Sequence, residues 1–199
     1  MGNDTAQVSI EVNLPIRQMG HDRAMDGVLV LVNGLPGAGK TTLGRGLSEV
    51  LGAWFLSKDV VKESLAGVIE NATEPPELGG IAMDATWALA SLSPVDVVID
   101  SWWFKPRDLA FAQAGIQRTG ARSIVEVWCE IPADIAKSRY AARQRAPIYR
   151  DEQRLAEHWD DWVARAAPLD VGPVLFVDTT HEIDYAAVAS RVRALAGTE

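Results

Sequence analysis

Short apolar runs alternate along this chain with stretches whose apolar residues recur every three or four positions. Five runs have the length and β-branched content of strands: Val28 to Val32, Trp54 to Ser57, Val95 to Asp100, Ser123 to Cys129 and Pro173 to Val177. Helical spacing fills the gaps. Leu43, Leu47, Val50 and Leu51 predict a helix from Thr42. Val61, Leu65, Val68 and Ile69 predict another beginning near Asp59. Further helices are predicted from Ile81 to Leu92, from Pro106 to Thr119, and from Pro132 through Arg139, Arg143 and Arg145. After a break at Pro147, a helix over 151–166 carries the stripe Leu155, Trp159, Trp162 and Val163. The last helix is striped by Tyr185, Val188, Val192 and Leu195. Nearly continuous apolar strands alternating with helices predict an α/β fold, with a parallel sheet covered on both faces.

The same pattern sets the organisation. Residues 1–26 are polar and mixed in charge apart from the alternation Val8, Ile10, Val12 and Leu14. They read either as an unstructured N-terminal extension or as an added edge strand. From 27 to 199 no linker interrupts the alternation, so one domain is expected. Its richest loop signal is Asn71 to Gly80.

Composition narrows the function classes. No apolar run approaches the ~20 residues that span a bilayer, and the N-terminus lacks a signal-peptide core, so no membrane partner is expected. The single cysteine, Cys129, excludes an intrachain disulfide and fits a cytoplasmic location; it lies in an apolar run and reads as a small core residue. A net charge of −8 opposes nucleic-acid binding, which rests on Lys/Arg patches.

The candidate chemistry sits after the first strand. Gly34-Leu35-Pro36-Gly37-Ala38-Gly39-Lys40-Thr41-Thr42 fits G-x-x-x-x-G-K-[ST], the Walker A phosphate loop, and has the required strand before it and helix after it. Such a loop turns backbone N–H groups onto phosphate oxygens. Lys40 can then reach the β- and γ-phosphates, and the Thr41 hydroxyl can ligate Mg²⁺. ATP and Mg²⁺ are the expected cofactors. In a parallel sheet, ligands bind at the carboxyl ends of the strands. Those ends carry Asp59, Asp100 and Asp178-Thr179.

Asp59 is a candidate base for an acceptor hydroxyl, with helix capping as the competing role. Asp100 is a candidate for organising Mg²⁺. Lys62 shares a helix face with Asp59 and is either a substrate contact or a solvated surface lysine. Arg139, Arg143, Arg145 and Arg150 suggest a lid over about 133–167 that seals the site and supplies cationic donors; a solvated charged helix is the alternative. Asp178 and Thr179 shape a nucleotide pocket or simply form a turn. The adjacent Trp102 and Trp103, with Arg107 beyond, would wall an acceptor pocket unless both rings are core.

These residues resemble the small P-loop kinases of the AAA_33 type, which include chloramphenicol phosphotransferase-like enzymes and the kinase domain of polynucleotide kinase. The likeness covers about residues 27–196. It rests on the glycine loop, Leu56-Ser57-Lys58-Asp59, Val98-Ile99-Asp100, the segment Arg139 to Arg145, and Val177-Asp178-Thr179. The resemblance implies a nucleoside-monophosphate-kinase-like sheet ordered 2-3-1-4-5, Asp59 as the base, and the arginines at lid and nucleotide. The expected activity is transfer of a phosphoryl group from ATP to a hydroxyl of a small molecule such as a sugar, nucleoside or antibiotic, by a monomer or homodimer. The alternatives are a regulatory ATPase without an acceptor, or a polynucleotide 5′-hydroxyl kinase.

Overall fold

The computed structural model describes residues 25, 27–69, 77–144 and 149–197. Its strands are β1 (Val28–Asn33), β2 (Trp54–Ser57), β3 (Val97–Asp100), β4 (Ser123–Glu130) and β5 (Val174–Asp178). They form one parallel sheet in the order β2-β3-β1-β4-β5, as the resemblance implied. The helices are α1 (Lys40–Leu51), α2 (Lys58–Ala66), α3 (Leu78–Ala90), α4 (Lys105–Thr119), α5 (Ala133–Ala141), α6 (Asp151–Arg165) and α7 (Tyr185–Ala196).

β1 lies at the centre, and all six of its residues are buried, which is why it reads as an unbroken apolar run. Its side chains alternate between two cores. Val30 and Val32 join Leu43 and Leu47 of α1 and Val188 and Val192 of α7 on one face. Leu29 and Leu31 join Trp87 of α3 and Ala112 and Ile116 of α4 on the other. The edges are β2 and β5, where Trp54 and Phe176 stay exposed.

Several helix limits differ from the periodic pattern. α1 starts two residues earlier, at Lys40, because the glycine loop itself leads into the helix. α2 stops at Ala66, so Val68 and Ile69 fall past its end and are exposed. α3 runs from Leu78 to Ala90 rather than from Ile81 to Leu92. β3 begins only at Val97, because the Asp96 side chain turns back to accept the Val28 amide at 2.8 Å. α5 ends at Ala141, so Arg139 and Arg143 do not share a helix face. The chain tightens there, with the Arg143 amide bonded to Tyr140 O at 3.2 Å. Of the expected N-terminal extension only Met25 is described; it is buried and donates its amide to Thr119 O at 3.0 Å. Residues 1–24 and 26 lie outside the described residues.

Close contacts account for three of the glycines inside helices. A Cβ at Gly44 would stand 2.8 Å from the Phe55 ring, and one at Gly46 would stand 2.4 Å from the Tyr185 ring. The tightest such contact joins α3 to α4, where a Cβ at Gly115 would lie 2.2 Å from the Trp87 indole. Gly115→Ala would gain ~1 kcal/mol in helix propensity. The overlap with a fully packed indole is expected to cost more, about 1–3 kcal/mol. Thermal unfolding should therefore show a lower midpoint; an unchanged or higher one would contradict this seating of α4.

Candidate active site

At the carboxyl edge of the sheet β1 gives way to the glycine loop. Gly34 has φ 139°, and a Cβ there would stand 2.9 Å from Cys129 O. Gly37 has φ 88°, and its Cβ would stand 2.1 Å from Ala136 O of α5. Both positions need glycine twice over, for conformation and for space. The loop enters α1 at Gly39 with no side chain capping the helix, so the first amides are left without a side-chain acceptor. That is the arrangement an anion can satisfy.

Lys40 curls back over this loop. Its Nζ donates to Gly34 O and Leu35 O, each at 2.9 Å, and lies 5.8 Å from the centre of the Trp102 ring. Burial pulls its pKa down to about 8, and the nearby Arg143 adds to the effect against Asp100 and Asp59. Thr41 Oγ1 donates to Asp100 Oδ2 at 2.5 Å. Asp100 is buried, and burial raises its pKa against the Thr41 hydrogen bond. Its other oxygen, Oδ1, is buried without a hydrogen-bond partner among the described residues.

Asp59 lies in the first turn of α2, its side chain 44% exposed and within electrostatic reach of both Lys40 and Asp100. The N-cap position belongs to Ser57, so Asp59 is not the cap. Lys62 is not a solvated lysine. It is 2% exposed, with Nζ 4.8 Å from the centre of the Tyr149 ring. Tyr149 in turn donates its hydroxyl to Asp59 O at 3.1 Å.

The two adjacent tryptophans part company. Trp102 is half-buried beside Lys40 and meets Phe104 and Trp162. Trp103 is 3% exposed and stacks on Trp87 in the opposite core, so the expected acceptor wall does not include it. Successive side chains of an extended segment point to opposite faces, and only one of them can face the loop. Arg107 is paired with Asp108 at 2.6 and 2.7 Å.

Arg139 donates to Thr179 O at 3.1 Å, and Thr179 Oγ1 donates to Ala38 O at 2.8 Å, so α5, the end of β5 and the loop are tied together. Asp178 is exposed and accepts from the amide and hydroxyl of Thr180, which is turn chemistry. Those bonds lower its pKa. Arg143 is exposed beyond α5, and Arg150 is exposed ahead of α6 with φ 48°. Arg145 lies outside the described residues.

Two residues of the site escape the motif. Asn33, the last residue of β1, accepts the Gly34 and Trp103 amides at Oδ1 (2.8 and 3.2 Å) and donates from Nδ2 to Trp103 O and Glu126 Oε1 (3.2 and 3.0 Å). Glu126, fully buried in β4, also accepts the amides of Leu169 at 2.9 Å and Asp170 at 3.1 Å. Burial raises its pKa against these bonds. A lone acid inside the apolar run 124–129 was the available signal, since a strand covered on both faces must give it partners.

A model of the family AAA_33, an AAA domain, matches residues 29–169. An uncharacterized protein of Mycobacterium tuberculosis is 30% identical over an alignment of 181 positions that covers 82% of this chain; the chain spans about a third (32%) of that relative's length. Among solved structures, a candidate kinase from Chloroflexus aurantiacus is 23% identical with a TM-score of 0.67, covering 86% of this chain and 99% of that one. A gluconokinase from Sinorhizobium meliloti is 19% identical with a TM-score of 0.53, covering 88% and 93%. Both likenesses are of fold.

Glu126→Gln tests the clasp beneath the loop. An amide keeps one acceptor oxygen and turns an NH₂ toward a donor, so the variant should lose about 1–3 kcal/mol in denaturant unfolding. Unchanged stability would show that the carboxylate does not hold these three segments.

Proposed function

The chain belongs to the AAA_33 family of AAA domains, and on that footing we propose that it is an ATP-dependent phosphotransferase acting on a hydroxyl of a small molecule. The observation that carries the reading is the convergence of Lys40, Asp100 and Asp59 at one edge of the sheet, each within electrostatic reach of the others. The glycine loop serves as a Walker A loop. Its uncapped amides and Lys40 take the place of water around the β- and γ-phosphates. With phosphate oxygens present, Lys40 exchanges its two loop carbonyls for a charged acceptor.

The residues also fit Mg²⁺, which prefers hard oxygen donors and keeps waters and phosphate oxygens in its shell. The Thr41 hydroxyl and the unsatisfied Oδ1 of Asp100 would hold it, directly or through water. When bound, it would neutralise charge on the phosphates.

Transfer then needs a proton acceptor. The Asp59 carboxylate takes the proton of the acceptor hydroxyl as its oxygen bonds to the γ-phosphorus; the bond from phosphorus to the bridging oxygen breaks, and ADP leaves. Lys40 balances the charge spread over the transferring group, and Arg143, close enough to Lys40 to disfavour its proton, adds to that field. Residues 133–167 act as the lid of a catalytic unit spanning 27–199. α5 lies on the loop at Gly37 and is fastened through Arg139, which supports the exclusion of water during transfer.

Two outcomes check this. Asp59→Asn should keep nucleotide binding and lower transfer at least ~100-fold. ADP release measured with and without acceptor reads it, and an Asn variant with normal turnover would remove the base assignment. Lys40 supplies the second. Its proton is lost near pH 8 in the free protein, whereas adjacent phosphates raise its pKa, so binding takes up a proton above that pH. ATP affinity should be flat below about pH 8 and fall by up to about tenfold per unit above it. Lys40→Met should bind weakly and lack that slope.

A further inference from the structure

Asp59 projects from a helix with little packing of its own. Of the nine residues of α2, Lys62 alone is buried; Val61 and Leu65 are partly buried and Val60 is 52% exposed. The N-cap residue, Ser57, makes no side-chain capping bond to the helix. So short a helix is marginal by itself, and helices fray from their ends. Yet the first turn of α2 carries the carboxylate on which transfer depends.

Tyr149 grips this helix at two points. Its hydroxyl donates to Asp59 O at 3.1 Å, from 90 residues along the chain, and its ring centre lies 4.8 Å from Lys62 Nζ. Residues three apart share a helix face, so both contacts fall on one side of α2, one turn apart. Two such contacts fix the rotation of the turn as well as its position, and with it the direction in which the Asp59 side chain leaves the backbone. Tyr149 is itself 3% exposed. A phenylalanine would fill that space equally; only the hydroxyl needs the carbonyl, whose second lone pair can serve it beside the helical bond.

The backbone is bent to keep Tyr149 there. The next residue, Arg150, has φ 48° and ψ 42°, a left-handed conformation that disfavours any residue with a Cβ. On its far side α6 is pinned at its first residue, where Asp151 Oδ1 accepts the Tyr140 hydroxyl at 2.7 Å. Anchors on both sides hold a strained residue in place.

We propose that Tyr149 is a positioning residue for the reaction: through its bond to Asp59 O and its seat on Lys62, it holds the first turn of α2 so that the Asp59 carboxylate meets the acceptor hydroxyl beside Lys40 and Asp100. This rests on the reading of Asp59 as the base. Tyr149 touches no reacting atom and works through Asp59. It also ties the base to the entry of α6, so the group that takes the proton and the segment assigned to excluding water share one contact. A shift of about 1 Å at a reacting group can cost on the order of 100-fold in rate.

The test measures ADP release by the full chain with ATP and Mg²⁺, offering water alone, glycerol, ribose and adenosine in turn, and continues with whichever gives the fastest release. Tyr149→Phe, which keeps the ring on Lys62, should lower kcat at least about tenfold with KM for ATP unmoved. Placed on Asp59→Asn, the same change should cost less than about twofold more, because the two residues act as a unit. Hydrogen exchange with ADP and Mg²⁺ present needs no turnover. The amides of Lys62, Glu63 and Ser64, among the first bonded within α2, should exchange at least about threefold faster in Tyr149→Phe, while those of β1 and α5 keep their protection. An unchanged kcat, losses that multiply in the double variant, or unchanged exchange in α2 would each overturn the proposal, and the base would still stand if Asp59→Asn alone slows release. Normal release by Asp59→Asn would remove the base and this role of Tyr149 together.

Discussion

The end of β1 must leave the sheet without stranding buried polar groups, and the side chain of Asn33 meets that demand. Its oxygen accepts the Gly34 and Trp103 amides and its nitrogen donates to Trp103 O and to Glu126. Each of those groups is buried, and an unpaired one would cost about 1–3 kcal/mol. One amide side chain thus fixes the first residue of the glycine loop, the link from β3 to α4, and, through Glu126, the approach to β5 at Leu169 and Asp170. The loop is held from below by hydrogen bonds, and its upper surface is left to a ligand.

That division explains the distribution of buried charge. Glu126 is surrounded by donors, so its carboxylate is structural. Lys40 and Asp100 are buried with weaker satisfaction: the lysine has only carbonyls, and one Asp100 oxygen has no partner among the described residues. Burial shifts both groups toward their neutral forms. Groups held this way gain most from an arriving opposite charge, because the folded chain has already desolvated them.

Aromatic packing sets where the mobile-looking part of the sequence actually rests. Tyr140 of α5 stacks on Trp159 of α6, Trp162 meets both, and Trp102 reaches Trp162 from the β3–α4 link. Tyr140 also donates its hydroxyl to Asp151 at 2.7 Å. α5 and α6 are therefore joined to the loop side of the sheet by a continuous ring cluster, with Arg139 and Thr179 as a polar fastening.

Local pattern alone determined the strand and helix alternation, the glycine loop with Lys40 and Thr41, and the acids at the strand ends, because periodicity and backbone demands are encoded within a few residues. The strand order came from resemblance to a family rather than from the pattern. Tertiary structure decided what depends on distant neighbours. Lys62 is buried because Tyr149, far along the chain, covers it. Trp103 turns to Trp87 while Trp102 turns to Lys40. Arg143 falls off α5 because the helix tightens and ends at Ala141. Asn33 and Glu126 find each other across 93 residues. No local pattern carries such pairings, since side-chain burial and charge are set by whichever segments the sheet brings together.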